Sequence, residues 1–271
     1  MTPDPLRVSA IIRDVAESTV LPRFQKLAAH EISEKHSGDI VTIADKEAEH
    51  ALSMALRDLL PGAAIVGEEG VAKNPDIMAV LSADAPVWII DPVDGTQNFA
   101  DGKPHFAMIV ALVVGGKTIA GWIHEPIDNT TIWAIADEGA HEGGYRLKPQ
   151  TPNRTNKFIG SLSRHYRERL ERARINQCEN GELPAKIIRY RCVGAEYAAM
   201  ARGTLQFARY GGRLKPWDHA AGVLIHAECG GFSAMVETGE PYVPGPTLKE
   251  RTLLLTPGEG SWKFFRDILE N

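Results

Sequence analysis

Asp91-Pro92-Val93-Asp94-Gly95-Thr96 places two carboxylates, a glycine and a hydroxyl directly after the apolar run Val87-Trp88-Ile89-Ile90. Magnesium is held by a few carboxylates together with waters and substrate phosphate oxygens, so such a loop could hold cations. Pro92 stiffens the chain between the aspartates, and Gly95 permits a close backbone approach. A helix starting at Thr96 would offer free amides to a phosphate. A solvated surface turn would contain the same residues, and the loop alone leaves both readings open. Glu68 and Glu69 follow the short apolar run Ala63-Ala64-Ile65-Val66 with no Lys or Arg immediately beside them. Asp218 follows Trp217 at the start of an apolar helix, where an N-cap role would also account for it. Thr42 to Asp45 reads as a capping box, which puts Asp45 in or next to a first helical turn, a place that favours any carboxylate. These acids act together only if the fold gathers them, and spacing does not show that.

The elements that would position them follow from periodicity. Two helices open the chain. In the second, Ala48, Ala51, Leu52, Ala55, Leu56, Leu59 and Leu60 recur at helical spacing before Pro61-Gly62 stops the run. Short strands over 63–66 and 87–90 deliver their ends into carboxylates. Segments 106–114, 118–124 and 130–136 read as an antiparallel meander joined at Gly115-Gly116 and Asp128-Asn129. The second half alternates: strands near 158–161, 186–188, 205–210 and 253–255, with helices from Arg164, over 194–201, over 218–229 up to Gly230-Gly231, and from Ser261. One α+β domain over 1–271 is expected, with a metal-loop and antiparallel-sheet half (1–150) and an αβ half carrying Asp218 (151–271).

Composition narrows the class. The 271 residues are 44% apolar and 24% charged, enough for a large core without disulfides or a structural metal. A net charge of −5 carries no basic footprint for nucleic acid and does not suit an anionic membrane surface. Cys178, Cys192 and Cys229 are too scattered for a zinc site or disulfide framework and read as reduced thiols of a cytosolic protein. Residues 1–13 lack the apolar segment of a signal peptide, and 106–114 falls far short of the ~20 residues of a membrane span. A soluble cytoplasmic protein is expected.

The blocks Asp39-Ile40-Val41-Thr42-Ile43-Ala44-Asp45, Val66-Gly67-Glu68-Glu69, Trp88 through Phe99, and Leu214-Lys215-Pro216-Trp217-Asp218-His219-Ala220-Ala221-Gly222 resemble the inositol monophosphatase family in order and separation. The resemblance covers nearly the whole chain. It implies a layered αβαβα sandwich, usually a homodimer, that hydrolyses small phosphate monoesters with two or three Mg2+ ions per site. By the resemblance, Glu68, Asp91, the Val93 carbonyl, Asp94 and Asp218 hold the metals, and Glu68 also marks the place of a third, weaker ion. Thr96 and Asp45 orient and deprotonate the attacking water, with no covalent intermediate. Gly95 and Thr96 amides cradle the phosphate, and Asp94, Gly194, Ala195, Glu196, Arg213 and Asp218 lie on the substrate side. Inositol phosphatases commonly carry a glutamate where Gly211 stands, and no acidic residue occurs over 205–216. That departure weakens the inositol assignment, so inositol 1-phosphate or a related inositol or sugar phosphate is only the first substrate to try, with histidinol phosphate and 3′-phosphoadenosine 5′-phosphate as alternatives.

Other groups tempt less. His219 reads as a first-turn helix residue rather than a general acid, and Lys103 and His105 as surface residues. The run from Ser163 to Arg174 interleaves arginines with glutamates, as a solvated helix does. Some bacterial members of the family act as non-catalytic partners of the transcription machinery. That basic helix, with Arg189 and Arg191, is the sequence's one foothold for a role of this kind; a nucleic-acid or transcription partner is not expected.

Overall fold

The computed structural model describes residues 2–36, 38–149, 157–176 and 186–270. Along the chain run α1 (Pro5–Val15), β1 (Ile32–His36), β2 (Asp39–Thr42), α2 (Ile43–Leu59), β3 (Ala64–Gly67), α3 (Glu68–Lys73), β4 (Val87–Asp94) and α4 (Thr96–Ala100). The meander follows as β5 (Ala107–Val114), β6 (Lys117–Glu125), β7 (Thr130–Ile135), β8 (Gly139–Glu142) and β9 (Tyr145–Arg146). Then come β10 (Ile159–Ser161), α5 (Arg164–Asn176), β11 (Lys186–Ile188), α6 (Val193–Ala201) and β12 (Phe207–Arg213). The chain continues through α7 (Pro216–Glu228), β13 (Phe232–Met235), β14 (Glu250–Thr256) and α8 (Glu259–Glu270).

Two sheets result, beside a β1–β2 hairpin. The larger has seven strands in the order β3-β4-β5-β6-β7-β8-β9, and the smaller five in the order β11-β10-β12-β14-β13. Side chains alternate across a strand, so each strand feeds two cores. Trp88, Ile90, Met108, Val110 and Leu112 pack with Ile12, Ala48, Leu52 and Leu56 of α1 and α2. Their neighbours Val87, Ile89, Ile109, Ala111 and Val113 join Tyr197, Ala198, Trp217 and Ala221 of α6 and α7. Leu253 and Leu255 complete that middle core from the small sheet. Leu254 and Phe207 point the other way, onto Leu170 of α5 and Trp262 and Phe265 of α8. The layers are therefore αβαβα, with α6 and α7 between the sheets. Gly121 lets α7 lie close to the large sheet: a Cβ there would stand 2.8 Å from the Ala221 Cα.

Several boundaries differ from the sequence reading. The strand expected at 205–210 runs on through Gly211-Gly212 to Arg213, because β14 supplies ladder partners that far. β8, β9 and β13 were not expected; each is four residues or fewer and carries no strong alternation. Asp218 is not an N-cap. Lys215 caps α7 and Pro216 takes the first helical position, which leaves Asp218 in the first turn. Cys192 is buried and Cys229 partly so, both free thiols, whereas Cys178 lies outside the described residues. Among the described residues no helix is long and apolar enough to cross a membrane.

Candidate active site

Strand β4 does not end before its aspartates. It continues through Asp94, paired with β5, and its register shifts between Asp91 and Asp94: Asp91 faces Ile109 and Asp94 faces Ala107. Pro92 and Val93 of β4 thus oppose the single Met108 of β5, a bulge, where a proline costs the ladder least. In a regular strand, residues three apart point to opposite faces. The extra residue cancels that inversion and brings both carboxylates to one side, the side of Ile109 and Ala107 toward α6 and α7. Parallel pairing of β3 with β4 aligns Gly67 with Ile90, so Glu68 arrives beside Asp91. Asp218 is delivered from the first turn of α7. Glu68, Asp91, Val93, Asp94, Gly95, Thr96 and Asp218 accordingly line one cavity of about 170 Å³.

Asp45 sits just behind that wall. At the third position of α2 it closes the capping box expected from sequence, its Oδ2 accepting from the Thr42 amide at 2.8 Å. Its other oxygen, Oδ1, lies 3.2 Å from Thr96 Oγ1, which is also 2.9 Å from the Val93 carbonyl. Gly95, at φ +83°, is the N-cap of α4. A side chain there would crowd the His105 carbonyl and Cys192 Cβ besides adopting a left-handed backbone.

Charge crowding governs the electrostatics. Burial first, then Glu68, Asp94 and Asp218, push the Asp91 carboxyl well above the usual range, with Lys215 opposing them. Asp94 and Asp218 are raised as well, both chiefly by burial. Burial also lifts Asp45 to about 7 against the hydrogen bonds from Thr42. Asp91 Oδ1 is buried without a hydrogen-bond partner, a costly state for a carboxylate oxygen. An all-oxygen set with one unpartnered carboxylate oxygen suits a hard divalent cation. Among the described residues, however, no three acidic, His or Cys side chains form a finished metal cage. Asp94 Oδ2 is turned to accept from the Gly194 amide (2.5 Å) and the Cys192 thiol (3.0 Å), and Glu68 is held by two lysines. The donor chemistry fits the ion, and cation charge is what would release these carboxylates from their present partners.

A pH dependence of stability follows. Asp45 and Glu49 are raised to about 7, and Asp91, Asp94 and Asp218 are raised too. A carboxyl whose folded value exceeds its unfolded one binds more protons when folded. Its contribution is present below the unfolded value near 4 and is lost as pH rises through the folded value. In EDTA the melting temperature should therefore fall between about pH 6.5 and about pH 8, above the range in which buried His124, His219 and His226, whose values are lowered, act in the opposite sense, and added Mg2+ should flatten that fall by neutralising the cluster. Thermal melts at both pH values, with and without the ion, check this; a Tm that rises with pH in EDTA contradicts it.

Some residues expected on the substrate side are placed elsewhere. The Gly194 and Ala195 amides are engaged by Asp94 and the Cys192 thiol, so the start of α6 serves the acidic loop from behind. Glu196 is buried away from the cavity. It accepts from the Tyr210 hydroxyl at 2.9 Å and the Tyr190 amide at 3.2 Å, since a carboxylate beside the apolar middle core needs such donors. Arg213 is exposed opposite Glu250 in the ladder, and Gly211 is exposed opposite Thr252; neither lines the cavity. His219 is buried against the Tyr197 hydroxyl at 3.2 Å, and burial lowers it to about 3, which leaves it neutral. Lys103 pairs with Asp101 at the surface, and the His105 ring packs edge-on to Tyr190. The sequence reading assigned no place at the site to Lys35, Glu49, Cys192 or Lys215, although Cys192 is the buried reduced thiol expected. Glu49 caps α3 through the Glu69 and Gly70 amides, at 2.7 and 2.8 Å, and its place one turn after Asp45 was the available signal.

The sequence profile of the inositol monophosphatase family matches residues 7–263. The chain belongs to that family. Among curated relatives it is 30% identical over 236 residues to the Nus factor SuhB of Salmonella typhimurium, covering 84% of each chain. It is 32% identical over 201 residues to the fructose-1,6-bisphosphatase/inositol-1-monophosphatase of Thermotoga maritima, covering 73% of each. The solved Thermotoga maritima IMPase superimposes with a TM-score of 0.78 at 24% identity, over 97% of this chain and 94% of that one, which establishes the shared fold. The αβαβα sandwich is thus the family's own, and membership in the inositol monophosphatase family supports a phosphatase.

Proposed function

We propose that this chain hydrolyses small phosphate monoesters with Mg2+, inositol 1-phosphate and related sugar phosphates first, in the manner of its family. The observation that carries the reading is the Thr96 hydroxyl 3.2 Å from buried Asp45, beside a cavity walled by Glu68, Asp91, Asp94 and Asp218. Two or three magnesium ions held by Glu68, Asp91, the Val93 carbonyl, Asp94 and Asp218 would make water more acidic and stabilise charge on the phosphate and leaving oxygens.

The chain's own groups do the rest. Thr96 orients the attacking water, and Asp45 receives a proton through the hydroxyl, which needs a base whose value lies near the working pH. The amides of Gly95 and Thr96 face the phosphate oxygens. As the water oxygen bonds to phosphorus, the ester P–O bond breaks, the departing alkoxide takes a proton from solvent water, and Asp45 returns the proton it received to solvent. No side chain of the cavity is placed as a nucleophile. The nearby Cys192 thiol is held by Asp94 and pushed well above its usual value by burial, so it stays protonated. A homodimer is expected from the family.

The alcohol half of the substrate is tested by a panel. Inositol 1-phosphate, fructose 1,6-bisphosphate, histidinol phosphate and 3′-phosphoadenosine 5′-phosphate are assayed for phosphate release with Mg2+ and with EDTA. The inositol and sugar esters should turn over only with Mg2+. A preference of more than about tenfold for histidinol phosphate or the nucleotide, or ~1.4 kcal/mol of barrier, removes the first choice; no release from any ester rejects the phosphatase reading.

A second reading draws on the SuhB relative and on α5, where Arg164, Arg167 and Arg172 are exposed. Glu168 and Glu171 share that exposed surface, and Arg164 pairs with Glu168 at 2.8 Å, which lessens its attraction for an acidic partner. The Asp94→Asn protein should not retain RNA polymerase components at low salt, and stable capture would favour a non-catalytic role.

A further inference from the structure

Two ammonium groups share one oxygen of Glu68. Lys35 Nζ, from β1, stands 3.1 Å from Glu68 Oε1 and 2.5 Å from Glu69. Lys215 Nζ, from the N-cap of α7, stands 3.4 Å from the same Oε1. They are not equivalent. Lys35 is bound to two carboxylates, its side chain is 9% exposed, and it does not line the cavity. Lys215 makes the longer contact, is 34% exposed and forms part of the cavity wall.

The location of Lys215 runs against local preference. The start of a helix carries partial positive charge and disfavours a cation. What holds the ammonium there is the ring of acids it faces: Glu68, Asp218, Asp39 and Asp91. It also lies 5.6 Å from the Trp217 ring centre. Three of those four acids are the ones assigned above to metal, so the ammonium and a divalent ion draw on the same charge.

We propose that Lys215 is a built-in competitor for the divalent ion at Glu68, resting on the metal site proposed above. With no ion at Glu68, the ammonium supplies positive charge to that side of the cavity. An ion taking Glu68 must displace it toward solvent, which its partial exposure and single long contact permit, whereas Lys35 stays in place. The chain therefore binds the ion at Glu68 more weakly than its carboxylates alone would, and a lysine rather than the acid count separates a two-ion from a three-ion site.

The test counts ions without substrate. Mn2+ binding is followed by the signal of the free ion in wild type, Lys215→Met, Lys215→Arg and Asp91→Asn, each first shown to be folded by its melt in EDTA. Lys215→Met should tighten the weakest ion at least about tenfold, or add one ion to the stoichiometry, and Lys215→Arg should stay near wild type. The melt supplies a second readout. Lys215→Met should lower Tm in EDTA, where a counter-charge is lost, and enlarge the gain in Tm on adding Mn2+. A merely structural lysine would lower both melts alike. If Lys215→Gln has to replace a poorly folding methionine variant, the same outcomes apply. Unchanged or weaker Mn2+ binding in the neutral variants overturns the competition while Asp91→Asn, by losing ions, keeps the metal site standing. Absence of binding in wild type overturns both.

Discussion

Asp94→Asn should abolish phosphate release and leave the fold in place. Asp94 closes the bulge of β4, faces the cavity, and is held by the Gly194 amide and the Cys192 thiol. Asparagine keeps the size and an oxygen for the Gly194 amide, so the packing of α6 on β4 survives. What it removes is one charge from the set available to magnesium. The expected loss in kcat is at least about 10³-fold, or ~4 kcal/mol of barrier. Stability should move the opposite way in EDTA. Asp94 is raised chiefly by burial, with Glu68 adding repulsion, and a neutral side chain relieves both. A Tm in EDTA equal to or above wild type, with turnover gone, is the signature. Activity within tenfold of wild type would remove Asp94 from the metal set.

The second large effect concerns the pair Thr96 and Asp45. Thr96→Ala deletes the hydroxyl that links the acid to the cavity, and Asp45→Asn deletes the base while keeping an acceptor for the Thr42 amide. Each should lower kcat by about 10²–10⁴-fold, the usual worth of general acid–base catalysis. KM should change little, because the interaction is made in the transition state rather than with bound substrate. The double variant should be no worse than about twofold below the poorer single one, since the two act as a unit. Asp45 is 1% exposed and raised to about 7, so the ion-free protein holds it partly protonated near neutrality. Bound cations favour the carboxylate and move that limb of the rate profile to lower pH. The acidic limb expected of wild type should vanish in Asp45→Asn; its persistence would assign the base elsewhere.

Much of the positioning could be read locally. The Thr42–Asp45 capping box lies within one helical turn, and the periodic apolar face of α2 ends at Pro61-Gly62 as expected. The strands of the meander were legible as apolar runs between turn residues, β5 being buried along nearly its whole length, and Gly115, Gly116 and Asn129 adopt the positive φ their turns require. The short β13 carried too little periodic signal, and its place at the edge of the small sheet depends on β14, its ladder partner. Gly211 was read as a change at a substrate contact, whereas its ladder with β14 sets it outside the cavity.

By itself the sequence determined the chemistry available: carboxylates at Glu68, Asp91, Asp94 and Asp218, a hydroxyl at Thr96 and an acid at Asp45. These are properties of residue type and short spacing. Tertiary structure alone decided how the groups are used. Asp91 and Asp94 share a face because β5 forces a bulge between them. Glu196 became a buried partner of Tyr210, 14 residues away, instead of a substrate contact. Lys35 and Lys215 meet at Glu68 across 33 and 147 residues. Such pairings depend on chain topology, and an ion pair carries no local periodicity from which it could be inferred. The loop Asp91 to Thr96 thus supplies the oxygen groups, and the fold decides that Glu68, Asp218 and two lysines meet them.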